Sequence, residues 1–269
     1  MRRQYAFCEI LIVCSFLTPL AQGALSAAQV EVVPYIIHRA KPPAVSATAE
    51  ELEKTGDQLR SEEAFLDAFD YYQAALVKHP NNARVYNKLG IAELQMQRYK
   101  DARKDFEKSI KLDRTFASTY NNLGAVYSAQ KKYSAAIKQY KKAIQLEPGV
   151  ATFYANMGAA YFARKDFEPA GTSYARALEL DPDVLERHSR TGIAAELPSS
   201  EEVARYAFIL AKLYARTGAF DRSLEYLRRA IEAGYKGIEA VYKDSEFAGL
   251  RKDPRFTVLM TPKPLAFAE

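Results

Sequence analysis

The stretch "YNNLGAVY" at residues 120–127 decides the fold, because the chain repeats it at a fixed distance. A near copy, "YNKLGIAE", begins at Tyr86, and another, "YANMGAAY", begins at Tyr154. Consecutive copies therefore start 34 residues apart. A constant period of this length predicts a protein built from stacked copies of one small unit, each burying its apolar face against the next.

Small and aromatic residues elsewhere follow the same period. An alanine comes 12 residues after each glycine, an aromatic residue comes 16 after it, and alanine or serine comes 19 after it. The glycines are Gly56, Gly90, Gly124 and Gly158, the first alanines are Ala68, Ala102, Ala136 and Ala170, and the aromatic residues are Tyr72, Phe106, Tyr140 and Tyr174. Agreement at this many positions predicts four repeats of one structure.

Each copy is predicted to form two helices. In "ARVYNKLGIAELQMQ", Val85, Leu89 and Ala92 recur at helical spacing, and Ala102 and Phe106 continue the pattern after a short turn. We expect the glycine to let the two helices approach closely and the aromatic ring to fill the space between neighbouring repeats. A proline near the end of three copies stops the second helix, because it cannot continue the hydrogen-bond ladder.

This pattern resembles the tetratricopeptide (TPR) repeat. The resemblance covers residues 49–184, with Tyr86, Tyr120 and Tyr154 where the family often has tryptophan. It implies an all-α fold, a right-handed TPR α-solenoid of antiparallel helix pairs. The four repeats are expected at approximately 49–82, 83–116, 117–150 and 151–184.

A fifth, degenerate repeat is predicted at residues 200–236, after an insert at 183–199. Ala211 stands at its glycine position. Ser199 and Glu202 form a capping-box pair, which predicts the start of its first helix.

Residues 237–269 are predicted to form a C-terminal helical cap, because a repeat array needs a cover for its last apolar face. Asp253 and Pro254 predict the first turn of a short helix there. The residues expected to cover the fifth repeat are Phe247, Leu250, Phe256 and Leu259.

The first 28 residues have the pattern of a secretory signal peptide. Arg2 and Arg3 precede an uncharged run at 10–21, and small residues follow. A run of 12 residues is too short for a hydrocarbon core that needs about 20. We therefore expect an exported protein, periplasmic or secreted, with no transmembrane helix in the mature chain.

Cleavage of this segment would also remove both cysteines, Cys8 and Cys14, so no disulfide and no thiol chemistry is predicted for the mature protein. Residues 29–48 follow, where Pro42 and Pro43 oppose a helix. We interpret 29–48 as a linker; the alternative is a short arm that docks on the body.

The resemblance implies a binding surface. In the TPR family the first helices line a concave groove that commonly binds a peptide. The groove candidates here are Asn87, Ile91, Asn121, Asn122, Ala125, Ala155, Asn156, Ala159 and Phe162. The alanines are small enough to leave the groove open, and each asparagine both donates and accepts, as a peptide backbone requires. In the alternative, the asparagines bond only to their neighbours and the alanines serve only helix packing.

One known role of the family is not expected. TPR co-chaperones hold the C-terminal carboxylate of a chaperone tail with a lysine and an asparagine that flank the first glycine. Glu53 and Asp57 occupy those places here. Two acids repel a carboxylate, so the sequence argues against a carboxylate-clamp partner.

Charge varies along the chain. Residues 49–82 carry a net −5 and residues 98–142 a net +8, while the whole chain carries +5. The lysines lie mostly on second helices, where a solvated convex face is the simplest interpretation. The alternative is a contact with an anionic partner. The overall charge is too low for a dedicated nucleic-acid binder, so nucleic acid is not the expected partner.

Catalysis finds little support in the sequence. The three histidines, His38, His79 and His188, are not at metal-ligand spacing, and no phosphate-binding or nucleophile motif is present. We predict no cofactor, no metal and no enzyme activity. The expected function is a scaffold that binds another protein or a peptide. The alternatives are an array that binds an anion, nucleic acid or a membrane surface through its basic convex face, and an enzyme with its site in the 183–199 insert.

A chain that begins at Gln29 should fold as fully as the complete chain, because the helical periodicity begins only near Leu52. Far-ultraviolet circular dichroism of the purified shortened chain should show a helical spectrum with a cooperative melt. A disordered spectrum would place the boundary of the leader elsewhere.

Overall fold

The computed structural model describes residues 40–186 and 199–261, and every regular element in these ranges is helical. The predicted leader, most of segment 29–48 and most of the insert lie outside the described residues. The helices form five antiparallel pairs: α1 (Ala49–Ser61) with α2 (Phe65–Lys78), α3 (Ala83–Gln95) with α4 (Tyr99–Leu112), α5 (Ala117–Ala129) with α6 (Tyr133–Leu146), α7 (Ala151–Ala163) with α8 (Phe167–Leu180), and α9 (Ser200–Arg216) with α10 (Phe220–Glu232). The predicted all-α solenoid of helix pairs is confirmed. In the described part no helix combines the length and the apolar character that a bilayer span requires.

The repeated glycine makes room for the repeated aromatic ring. A Cβ atom added at Gly124 would lie 2.6 Å from Cε1 of Tyr140, and one added at Gly56 would lie 2.7 Å from Cε1 of Tyr72. These distances are below van der Waals contact, so only glycine fits beside the ring. Each ring thus packs inside its own pair, and Tyr72 also joins the apolar cluster that contains Val85 of the next pair. The prediction placed the rings between neighbouring repeats and did not include this contact within each pair.

The turn inside each pair has one residue in the left-handed conformation. These residues lie seven positions after the glycine and are Glu63, Gln97, Lys131 and Lys165, with φ between 58° and 68°. In the fifth pair the same place is taken by Gly218, with φ of 77°. Gly218 lies seven residues after Ala211, so Ala211 occupies the position that the repeated glycine has in the first four pairs. A left-handed backbone costs most residues free energy but not glycine, so the fifth turn is the least strained.

The stacking of the pairs puts the first helices on one side. Each of α2, α4 and α6 packs on the first helix of the following pair. The first helices α1, α3, α5 and α7 also contact one another in succession, and no comparable contact joins the second helices within the described ranges. The array therefore curves with its first helices on the inner, concave face, as extended repeat proteins do.

The start of the array is tied to α2. Tyr71 donates its hydroxyl to the carbonyl of Lys41 at 2.9 Å, and Lys78 Nζ donates to the carbonyl of Val45 at 2.9 Å. Thr48 then caps α1 in a complete capping box with Glu51. In its described part, this segment is a docked arm rather than a free linker.

The fifth pair joins the fourth through aromatic rings. Phe162 lies edge-on to Tyr206, with ring centroids 5.4 Å apart, and Tyr174 contacts the same ring at 5.8 Å. Ser199 caps α9 by accepting from the Glu202 amide at 3.2 Å, while the Glu202 carboxylate lies 3.2 Å from Lys165 Nζ. Only the serine half of the predicted capping box is thus seen.

The C-terminal segment covers the fifth pair. It consists of three short 3₁₀ helices, Ile238–Tyr242, Ser245–Phe247 and Leu250–Lys252, and of α11 (Pro254–Met260), which Asp253 caps. The side chains of Val241, Phe247 and Leu250 are fully buried against apolar residues of α9 and α10. Phe256 is buried in the same cluster and Leu259 packs at its edge. The C-terminal helical cap is therefore present as predicted.

Removal of residues 237–269 should make the chain aggregate, because the apolar faces of α9 and α10 would meet water. Phe247→Ala should lower the free energy of unfolding by about 3–5 kcal/mol, as expected for a ring removed from a closed core. Chemical denaturation of the point variant and light scattering of the shortened chain measure the two effects.

Val258 provides the matched control, because it lies on α11 but is 77 % exposed. Val258→Ala should change the free energy of unfolding by no more than about 0.5 kcal/mol. A shortened chain that stays monomeric with an unchanged melt would show that the segment is not a cap.

Candidate peptide-binding groove

The nine predicted groove residues lie on the inner helices α3, α5 and α7. Six of them are partly exposed: Ile91, Asn121, Asn122, Ala125, Asn156 and Ala159. The other three are buried, with exposed fractions of 6 % for Asn87 and 2 % each for Ala155 and Phe162. The accessible floor is therefore narrower than the sequence predicted.

Ala155 and Phe162 are buried because the fifth pair covers them. The Phe162 ring packs edge-on against Phe167 at 5.2 Å and Tyr206 at 5.4 Å, and Ala155 belongs to the same apolar cluster. Their side chains thus contribute to the core between α7 and α9. The expectation that Ala155 helps to keep the groove open was wrong.

Four asparagine amides are joined in a relay across three pairs. Asn156 Nδ2 donates to Asn121 Oδ1 at 2.8 Å, Asn121 Nδ2 donates to Asn122 Oδ1 at 3.2 Å, and Asn122 Nδ2 donates to Asn87 Oδ1 at 2.9 Å. The asparagines therefore bond to one another, as the alternative interpretation expected, but these bonds use only some of the donors and acceptors of each amide. A primary amide has two N–H donors and two acceptor lone pairs. Asn121 and Asn122 use one donor and one acceptor each in the relay, which leaves capacity for a ligand.

Lys88 makes a similar contact between repeats at the N-terminal end of the groove. Its Nζ lies 2.6 Å from Glu53 Oε1 and 2.5 Å from Asp57 Oδ2. Sequence reasoning identified the two acids but missed this lysine between them. One positive charge among three groups leaves the cluster net negative, so an incoming carboxylate would still be repelled.

A single spacing explains the polar side-chain bonds between successive repeats. The residue two before each glycine donates to the residue three before the preceding glycine, 35 positions earlier: Lys88 to Glu53, Asn122 to Asn87, and Asn156 to Asn121. In the fifth pair the corresponding residues are Ile209 and Ala155, which cannot form such a bond. The relay consequently ends at the fourth pair, and a search for complementary polar residues 35 apart would have found it.

The C-terminal segment closes the other end of the groove. Phe208 on α9 stacks on Tyr235 at 4.4 Å and contacts Phe247 at 5.6 Å. Lys212 on the same helix pairs with Asp244 at 2.7 Å and with Glu246 at 2.9 Å. The groove positions of α9 are thus occupied by the chain itself, and the open floor extends from α3 to α7.

Comparison with protein families identifies the repeats. A tetratricopeptide repeat model matches residues 117–150, a TPR repeat model matches 92–131, and a second tetratricopeptide repeat model matches 151–184 and 204–233. The chain is a tetratricopeptide repeat protein. The match at 204–233 includes the degenerate pair α9–α10.

Several solved TPR structures are similar to this chain. A thermophilic TPR protein of Thermus thermophilus is 18 % identical, with a TM-score of 0.50 over 76 % of this chain and 100 % of that one. MamA of Desulfovibrio magneticus is 19 % identical, with a TM-score of 0.49 over 75 % of this chain and 100 % of that one. YrrB, described as a TPR protein with an unusual peptide-binding site, is 19 % identical, with a TM-score of 0.46 over 76 % of this chain and 91 % of that one. The search of curated proteins gave no match.

A pair of carboxyl groups lies inside the second TPR, away from the groove floor. Glu93 is only 4 % exposed, and this burial, together with its contact to Asp105, raises the pKa of Glu93 to about 8. Burial also raises the pKa of Asp105. The other pairs have Leu59, Tyr127, Tyr161 or Tyr214 at the position of Glu93. The two carboxyl groups therefore hold a proton between them at neutral pH. In the described ranges no set of His, Cys, Asp or Glu side chains is arranged to bind a metal.

Glu93→Gln should flatten the pH dependence of stability. The pKa of Glu93 is 4.5 when exposed and about 8 when folded, so the folded chain binds more protons between these values. Stability of the wild type therefore falls as pH rises from about 4.5 to about 8, and the variant should become progressively more stable than the wild type over this range. Thermal melts at several pH values measure the difference.

Glu107→Gln is the matched control, since Glu107 lies on α4 with 53 % of its side chain exposed. Its stability difference from the wild type should not grow with pH in the same way. A Glu93→Gln difference that is constant over the range would exclude the shared proton.

Proposed function

We propose that the chain is an exported, non-catalytic scaffold that binds an extended segment of another protein on the inner face of α3, α5 and α7. The observation that carries this proposal is the combination of Ala125 and Ala159 with the partly exposed amides of Asn121 and Asn122. Small side chains leave space above the floor, and the amides offer hydrogen bonds within it. Ligands generally favour concave surfaces with a few well-placed polar groups.

The amide chemistry suits a peptide backbone. A backbone presents N–H and C=O groups in alternation, and each asparagine can meet both. The relay already fixes the orientation of Asn121 and Asn122 through bonds of 3.2 Å and 2.9 Å. Binding therefore freezes few further side-chain rotamers, which lowers its entropic cost. Backbone recognition also makes the site tolerant of ligand sequence.

The two ends of the floor limit the length of the ligand. Lys88 with its two acids marks one end, and α9 with its own covering segment marks the other. Packed helices are about 8–10 Å apart, so the floor from α3 to α7 spans about 20 Å. An extended chain advances about 3.3 Å per residue, which gives a bound segment of about six residues.

The export and the lack of catalysis are parts of the proposal that rest on sequence. The leader pattern at residues 1–28 supports a periplasmic or secreted location. The scarcity of histidines and the missing nucleophile motifs support a binding role.

Ala159→Arg should block the groove without unfolding the array, because Ala159 lies on the partly exposed face of α7. Peptides are first selected from a random display library with the wild-type chain, and their affinities are then measured by fluorescence polarisation. The arginine should weaken binding at least about tenfold, since a long charged side chain would fill the recess.

Thr172→Arg is the matched control, because it adds the same side chain to the same repeat on the exposed face of α8. It should leave the affinities unchanged. Side-chain amide resonances of Asn121 and Asn122 should shift when peptide is added to the wild type. Normal binding by a folded Ala159→Arg chain would move the site away from the groove.

A further inference from the structure

The outward faces of the second helices differ sharply in charge between repeats. The residues 10, 14, 17 and 21 positions after each glycine form one stripe along the outer side of the second helix. On α4 the stripe is Lys100, Lys104, Glu107 and Lys111, and on α6 it is Ser134, Lys138, Lys141 and Gln145, all exposed. We call the five lysines of these two stripes the lysine face: Lys100, Lys104, Lys111, Lys138 and Lys141.

The corresponding stripes on later helices are acidic. On α8 they include Glu168 and Glu179, and on α10 they are Asp221, Glu225, Arg228 and Glu232. An ordinary solvated surface mixes charges of both signs, which keeps repulsion low. The lysine face is therefore confined to two neighbouring repeats and is not a general property of the outer surface.

Few carboxylates offset the lysine face. Lys104 pairs with Asp101 at 3.2 Å and Arg103 approaches Glu107 at 3.7 Å. Lys100, Lys111 and Lys138 make no ion pair within the described residues. Like charges four residues apart on a helix repel each other, so the arrangement is unfavourable unless an anionic partner compensates it.

We propose that the lysine face binds the surface of an anionic lipid bilayer. This function is separate from peptide binding on the inner helices. Anionic headgroups attract each lysine near the surface without requiring a shaped pocket. The two parallel helices α4 and α6 supply a broad positive surface. The groove lies on the opposite side of the helix pairs, so both surfaces can be used at once.

The side chains on the lysine face favour lipid over nucleic acid. Arginine, with its planar fork, is the residue preferred for nucleic-acid phosphates, and the stripes of α4 and α6 contain none. They also contain no aromatic residue on which a base could stack. The predicted leader would bring this face to a compartment bounded by membranes.

Vesicle co-sedimentation of the full chain tests the proposal. The probes are vesicles of phosphatidylcholine with about a third phosphatidylglycerol, and vesicles of phosphatidylcholine alone. Wild type is compared with the triple variant Lys100→Glu, Lys111→Glu, Lys138→Glu. The matched control is Lys236→Glu, Lys243→Glu, Lys252→Glu, three exposed lysines of the C-terminal region. Both variants lower the formal net charge of +5 by the same amount and keep the apolar leader.

The proposal predicts that wild type and control bind the anionic vesicles and that the first variant binds at least about tenfold more weakly. Binding should also disappear at about 0.5 M NaCl, where the screening length is about 4 Å. Circular dichroism melts should agree for all three proteins.

Several results would overturn the proposal. Equal weakening of both triple variants would assign the effect to net charge alone, and equal binding to neutral vesicles would assign it to the apolar leader. No binding by the wild type would remove the lipid partner. In a further outcome, the Lys100, Lys111 and Lys138 variant keeps its binding to vesicles but loses the binding of a fluorescent 20-base-pair DNA duplex that the wild type shows. That result would identify nucleic acid as the partner instead.

Discussion

The contact between a glycine and an aromatic ring in each of the first four pairs is the constraint on which the array depends. A Cβ at Gly90 would lie 2.8 Å from Cε1 of Phe106, and the other three glycines are equally close to their rings. This contact sets how closely the two helices of a pair approach, and it fixes which face of the first helix is buried. Every other position of that helix then has a defined direction, toward the core, the neighbouring pair or the inner surface. The groove floor and the outer stripes follow from this one register.

The period made this register readable from sequence. Gly56, Ala68 and Tyr72 and their counterparts recur without a gap, so the helices and their buried faces could be predicted before any contact was seen. The C-terminal cap was predictable for a similar reason, since Phe247 and Leu250 are large apolar residues beyond the last repeat. Such features depend on residue type and spacing alone, which a single sequence contains.

The site was harder to predict, because its geometry depends on pairs of residues from different repeats. Asn87 has the composition of a surface residue, but it is buried beneath the amide of Asn122. Phe162 has groove spacing, but Tyr206 covers it after an insert whose length displaces the fifth pair in sequence. Glu93 and Asp105 look like ordinary helix charges, and only their proximity reveals a shared proton. In each case the sequence did not show which residue of another helix the side chain contacts.

The polar relay has a consequence for where the chain tolerates changes of length. Its bonds between repeats join residues 35 positions apart, so a single residue added or deleted between two such partners would change their spacing and misalign donor and acceptor at that junction. The junction after the fourth pair has Ala155 opposite Ile209 and carries no such bond. The long insert of this chain falls at that junction, where extra residues break no side-chain hydrogen bond of the relay.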